Sequence, residues 1–118
     1  MDIETLREYC LSKKGVTEEF PFDEVTLVFK VMGKMFALTG LDKLPHKVNL
    51  KCDPERAIEL RERYPGIAPG YHMNKKHWNT VTLEGSLSTD MLKELMDHSY
   101  DLVVNGLTKK LKEELRSL

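Results

Sequence analysis

Lys75, Lys76, His77 and Trp78 are consecutive in the stretch PGYHMNKKHWNTVTL (residues 69–83), which also carries His72 and contains no acidic residue. The whole chain has 19 Asp and Glu against 18 Lys and Arg, yet no acid lies between Glu62 and Glu84. Ammonium groups neutralise phosphates, and a flat aromatic ring stacks on a base or frames the site that holds one. The charge distribution along the chain points the same way. Residues 1–29 hold three bases and seven acids, residues 30–80 ten bases and five acids, and residues 81–118 five bases and seven acids. A net charge of −1 therefore conceals a basic middle, and such an asymmetry sets up a local positive field.

Catalytic templates do not fit. The stretch GLDKLPHK lacks the spacing of a phosphate-binding loop, and neither GxGxxG nor GxSxG occurs. His72 and His77 are five residues apart rather than four on a helix with a glutamate between them, and no thiol or acid spaced as a ligand accompanies them or His46. Cys10 and Cys52 stand alone, without a CxxC partner, and are expected as buried, reduced thiols. No catalytic residue, cofactor or metal is assigned.

The elements that must carry the basic cluster follow from periodicity. DIETLREYCLSKKG reads as a helix capped by Asp2, with Ile3, Leu6 and Cys10 on one face and Gly15 as its stop. EEFPFDE reads as an extended or turn segment, because Pro21 disfavours helical angles at Phe20. In VTLVFKVMGKMFALTG, Val25, Leu27, Phe29 and Val31 alternate with polar or outward positions, and Gly33-Lys34 suits a type II′ turn. HKVNLKC is a further strand, with Val48 and Leu50 inward and Lys47, Asn49 and Lys51 outward. DPERAIELRERY opens a second helix at Pro54 behind the Asp53 cap and ends it near Arg63. PGIAPG reads as an ordered loop. HWNTVTLEG alternates again, with Val81 and Leu83 inward and Trp78, Thr80 and Thr82 outward. STDMLKELMDHSYDLVVNG carries a helical stripe that ends at Gly106, and Leu107, Leu111, Leu115 and Leu118 mark a short amphipathic helix after it.

Strands joined by a tight hairpin, with helices before, between and after, predict an α+β fold of two layers. An antiparallel sheet has its helices on one face, in the order α-β(3)-α-β(2)-α plus a short C-terminal helix, over a single domain spanning 1–118. The other sheet face is then open and polar, and Thr26, Lys30, Lys47, Asn49, Lys51, Trp78, Thr80 and Thr82 belong to it. Trp78 is expected to be half-buried outside the main core, beneath Pro65, Pro69 and Tyr71. Val25, Leu27, Phe29, Val31, Phe36, Leu38, Val48, Leu50, Val81 and Leu83 are expected beneath the first and third helices.

Taken together, EEFPFDE, HKVNLKCDPERAIELRERYPGIAPGYHMNKKHWNTVTLEG and SYDLVV resemble the MmcQ/YjbR family of small bacterial proteins over nearly the whole chain. The resemblance implies a fold akin to type III secretion chaperones and the CyaY-like group. It also implies a proposed DNA-binding role with two β-hairpin wings flanking the nucleic acid. The family motif falls on Glu19, Phe20, Pro21, Phe22, Lys51, Pro69, His72, Asn74, Lys75, His77, Trp78, Ser99 and Tyr100, and it supplies no catalytic set.

The expected function is weak, largely sequence-independent DNA binding through Lys47, Lys51, Lys75, Lys76, His77 and Trp78. The alternative is a protein-interaction or chaperone-like module that holds a partner on the open sheet or the leucine-rich C-terminal helix. A second pair of readings concerns Trp78: it forms the floor of a polyanion site, or it interlocks with the FPF segment, Tyr71 and His72 to fix the loop. No apolar run is long enough to span a membrane and no secretory leader is visible, so a monomeric cytoplasmic protein is expected.

Overall fold

The computed structural model describes residues 1–118, and its elements follow from caps and alternation. Helix α1 (Ile3–Leu11) starts where the Asp2 carboxylate accepts from the Thr5 amide at 2.8 Å. Strands β1 (Val16–Glu19), β2 (Thr26–Val31), β3 (Lys34–Gly40) and β4 (Lys47–Lys51) follow, and then α2 (Pro54–Arg63), capped by Asp53. Strands β5 (Ile67–Pro69) and β6 (Trp78–Thr82) precede α3 (Thr89–Asn105) and α4 (Lys109–Arg116). The six strands form one antiparallel sheet in the order β1-β2-β3-β4-β6-β5. The α+β class and the placement of the helices on one face are as the periodicity predicts.

Four strands, not three, precede α2, because the short polar segment VTEE pairs with β2 as β1. The segment expected as a loop around Ile67 is the edge strand β5. The hairpin turn is Met32-Gly33 rather than Gly33-Lys34. Its backbone φ values, 50° and 83°, are both positive, as a type I′ turn requires, whereas a type II′ turn needs only one. A bulge opposite Phe29 and Lys30 then inserts Phe36, so Phe36 and Ala37 both reach the core.

The core holds Leu6 and Cys10 of α1, Leu27, Phe29 and Val31 of β2, Val48 and Leu50 of β4, Val81 and Leu83, and Leu92, Leu95 and Met96 of α3. Two of the ten expected core residues differ. Val25 precedes β2 and is 38% exposed, and Leu38 is buried on the opposite face, beside its cross-strand partner Val28. Helix α2 covers β5 and β6, so it joins α1 and α3 in roofing the sheet. Gly15 does not stop α1, which ends at Leu11. A Cβ there would lie 2.5 Å from the Leu115 Cδ1, so Gly15 is where α4 lands. Burial pushes the Cys10 and Cys52 thiols up to about 12 and about 11, so neither supplies a thiolate near neutral pH.

Candidate nucleic-acid interface

The face away from the helices is built from alternate residues of each strand. Three rows cross it. Gly40, Lys47 and Thr82 lie in one, and Val28, Leu38, Asn49, Thr80 and Ala68 in the next. Lys51 lies directly opposite Trp78 in the third. The sheet therefore brings Lys47, Lys51 and Trp78 onto one surface, as their shared parity predicts. Lys51 lies four residues on from Lys47, about 13 Å along the strand. The surface is less polar than expected, since Val28 and Leu38 occupy its middle and Met35 lies beside them. Lys30 also belongs to it but is paired with Glu19 at 3.5 Å, so its charge is already answered.

Lys75, Lys76 and His77 sit on the loop between β5 and β6. The loop is fixed by its own backbone and by one residue that the periodicity does not reveal. The Asn74 carbonyl accepts from the His77 and Trp78 amides, and the Asn74 side chain accepts from the Lys76 amide. Arg61 of α2 then reaches across. Its Nε donates to the Asn79 Oδ1 at 2.7 Å, and its Nη2 donates to the Lys75 and Trp78 carbonyls. Arg61 follows Leu60 and shares a face with Ala57, both buried, and that spacing is the one signal in the sequence for its inward direction. Gly70 lets the loop close on Trp78, because a Cβ there would meet the Trp78 Cβ at 2.7 Å.

Trp78 is half-buried and lies outside the core cluster, as expected. Its surroundings differ from the expected aromatic interlock. The Tyr71 ring lies 4.0 Å from the His72 ring, and Phe20 and Phe22 are 50% and 64% exposed. Hydrogen bonds donated by Arg61 and accepted by Asn74 hold the loop, in place of the aromatic interlock that was one of the two readings of Trp78.

Lys47, Lys51, Lys75 and Lys76 have no carboxylate within ion-pair distance, whereas Lys13, Lys30, Arg7 and Arg56 all do. The Lys75 Nζ donates to the Gly70 carbonyl at 3.1 Å and keeps its other protons free. The His77 side chain is half-buried and its carbonyl accepts from the Cys52 amide, so its backbone joins the loop to the end of β4. His46 pairs with Glu84 at 2.8 Å, and the histidines form no cluster with acids or thiols suited to a metal ion.

A groove of about 850 Å³ opens on the same face, and no local pattern of residues marks it. Phe22 and Asp23 wall one side, Tyr71, His72 and Met73 the other, and the connection Lys43-Leu44-Pro45 closes one end. Leu38, Asn49 and Thr80 form part of its floor.

The chain is related to known proteins along most of its length. Residues 11–102 match the YjbR family model. The chain belongs to the YjbR family. It is 38% identical to the uncharacterized protein YbdF of Escherichia coli O157:H7, over 96% of this chain and 93% of that one. It is 35% identical to YjbR of Escherichia coli K12 over the whole of both chains. A crystal structure from Deinococcus radiodurans superposes with a TM-score of 0.90 at 48% identity, covering 96% of this chain and 86% of that one. A Pseudomonas syringae protein does so with a TM-score of 0.76 at 30% identity, covering 86% and 98%.

Several positions of the YjbR motif have structural duties here. Ser99 is fully buried on α3. It donates to the Phe36 carbonyl and accepts from the Lys51 amide at 2.8 Å, so one hydroxyl ties α3 to β3 and β4. The Tyr100 hydroxyl donates to the Lys14 carbonyl at 2.6 Å, and its ring meets Phe36 edge-on at 5.5 Å. Phe22, His72 and Lys51 have no such side-chain bond and line or border the open face.

Proposed function

We propose that this YjbR-family chain is a cytoplasmic, monomeric DNA-binding accessory protein. It uses the open sheet face and the hairpin loops at its rim, and binds weakly and largely without regard to sequence. One observation carries the reading. Lys47, Lys51, Lys75 and Lys76 are unpaired with any acid, and they share a helix-free face with Trp78 or stand on the adjoining loop. Lysine neutralises phosphate but does not by itself read base sequence, which accounts for the lack of preference. The acidic segments on either side of the basic middle oppose binding. Affinity is therefore expected in the non-specific range of roughly 10⁻⁴ to 10⁻⁶ M at physiological salt. The reading requires no cofactor and no catalytic residue.

The experiment is replacement of all four lysines by alanine, with retention on immobilised DNA measured at low salt. The variant should lose retention and melt close to the parent temperature, since exposed substitutions usually change stability by less than about 0.5 kcal/mol each. Retention equal to that of the parent contradicts the proposal. A second reading, a protein-partner surface, draws support from the apolar part of the groove, where Leu38 lies in the floor and Leu44 is 78% exposed. Binding that resists salt would favour this second reading.

A further inference from the structure

The groove answers a question that the lysines leave open, namely which form of nucleic acid the face takes. We propose that it accepts single-stranded nucleic acid in preference to duplex, with unstacked bases against Phe22 and Tyr71 and phosphates along Lys47, Lys51 and the loop lysines. The inference rests on the nucleic-acid reading above and deepens it.

Charge separates the two parts of the surface. Lys43 and Lys47 equal Asp23 and Asp42 in number among the groove-lining residues, so the groove as a whole has no net charge, although Lys47 itself is exposed and has no carboxylate within ion-pair distance. Beyond it, Lys51, Lys75 and Lys76 are unopposed. A neutral slot with aromatic walls beside a cationic rim matches a strand whose bases turn inward and whose backbone lies at the edge. A duplex keeps its bases stacked inside and presents phosphates, for which exposed rings have no use. The groove volume of about 850 Å³ is that of a site for small organic groups, not for a double helix.

Both rings stand on fixed backbone. The Tyr71 amide donates to the Thr80 hydroxyl at 2.9 Å, and the Tyr71 carbonyl accepts from the Asn49 side chain at 3.3 Å, while the residue remains 59% exposed. On the other wall, the carboxylate of Asp23 accepts from the Val25 and Thr26 amides and from the Thr26 hydroxyl, which fixes the turn that presents Phe22. Rings held in place lose little freedom when a base stacks on them. The Lys43 Nζ lies 5.7 Å from the Tyr71 ring centre, beside any base stacked there.

The test is fluorescence anisotropy at low ionic strength with labelled oligothymidylate, oligouridylate and a mixed-sequence hairpin duplex. At least one single strand should bind about tenfold or more tightly than duplex, and the ratio of the two single strands tells DNA from RNA. Tyr71→Ala and Phe22→Ala should each weaken single-strand binding by roughly 5- to 100-fold, the loss expected for one stacking partner. Tyr71→Phe should retain binding, and melting curves confirm that each variant is folded. Duplex binding equal to or tighter than single-strand binding overturns the inference, as does full affinity in Tyr71→Ala, and either result leaves the lysine face standing. If no nucleic acid of any form binds, the DNA reading itself falls and this inference with it.

Discussion

Replacing Arg61 with alanine isolates the contact on which the lysine loop depends. The guanidinium donates to one buried side chain and two loop carbonyls. Asn79 is 2% exposed, and its Oδ1 accepts from Arg61 at 2.7 Å, so truncation leaves a buried acceptor without its donor. Such an orphan costs about 1–3 kcal/mol. The Lys75 carbonyl belongs to an exposed residue and regains water, so its loss adds only about 0.5–1 kcal/mol. The vacated space also admits water to Asn79, which keeps the total near 2–3 kcal/mol. For a chain of this length, about 4 °C of melting temperature per kcal/mol gives a fall of about 8–12 °C. Arg61→Lys should recover part of this, because an ammonium reaches one acceptor but lacks the planar fork. Thermal unfolding followed by circular dichroism reads the difference, and tryptophan emission reports whether Trp78 has become wetter. Melting of Arg61→Ala within about 2 °C of the parent, with unchanged emission, would refute this account of the loop.

Other consequences follow from single contacts. Ser99→Ala removes one hydroxyl from two backbone partners at a fully buried position, and chemical denaturation should show a loss of about 2–4 kcal/mol. Gly70→Ala drives a methyl into Trp78 and should cost about 1–3 kcal/mol with a shift in tryptophan emission; an unchanged spectrum and midpoint would mean that the loop yields freely. His98 accepts from the Asp53 amide through Nε2 at 3.2 Å, and burial, with Arg56 adding to it, lowers its pKa while Glu94, Asp53 and Asp101 act in the opposite sense. The unfolded chain therefore takes up this proton first on acidification. The contribution of His98 is present above about pH 6.5 and is lost as the pH falls from there through the lower folded value. A His98→Ala variant should melt with a shallower pH dependence across that window than the parent, and parallel profiles would contradict the assignment.

Local chemistry made much of the fold legible. Asp2, and Asp53 with Pro54, each cap the helix that the sequence suggests, because a cap acts within one turn. Alternation in Lys47–Lys51 and Trp78–Thr82 by itself puts Lys47, Lys51 and Trp78 on one face, and strand pairing sets Lys51 opposite Trp78. Features that depend on distant partners were not legible. The short strand Val16–Glu19 is polar and is a strand only because β2 lies beside it. The extra residue at Phe36 breaks the two-residue period, so Leu38 falls on the face opposite to the one expected. The spacing from Ala57 turns Arg61 inward, but only the fold brings its acceptor Asn79 within reach. The groove is assembled from three connections widely separated in sequence, and no local pattern marks it.

The most direct test of the central claim is the dependence of nucleic-acid affinity on salt, measured for the parent and for the variant with Lys47, Lys51, Lys75 and Lys76 replaced by alanine. Four phosphate contacts predict a slope of log affinity against log salt of about −2.8 on a single strand and about −3.6 on duplex, from roughly −0.7 and −0.9 per contact. The parent should show a slope near these values, and the variant should show none that can be resolved. A parent protein whose binding does not change with salt, or a variant that keeps the parent's slope, would contradict the account.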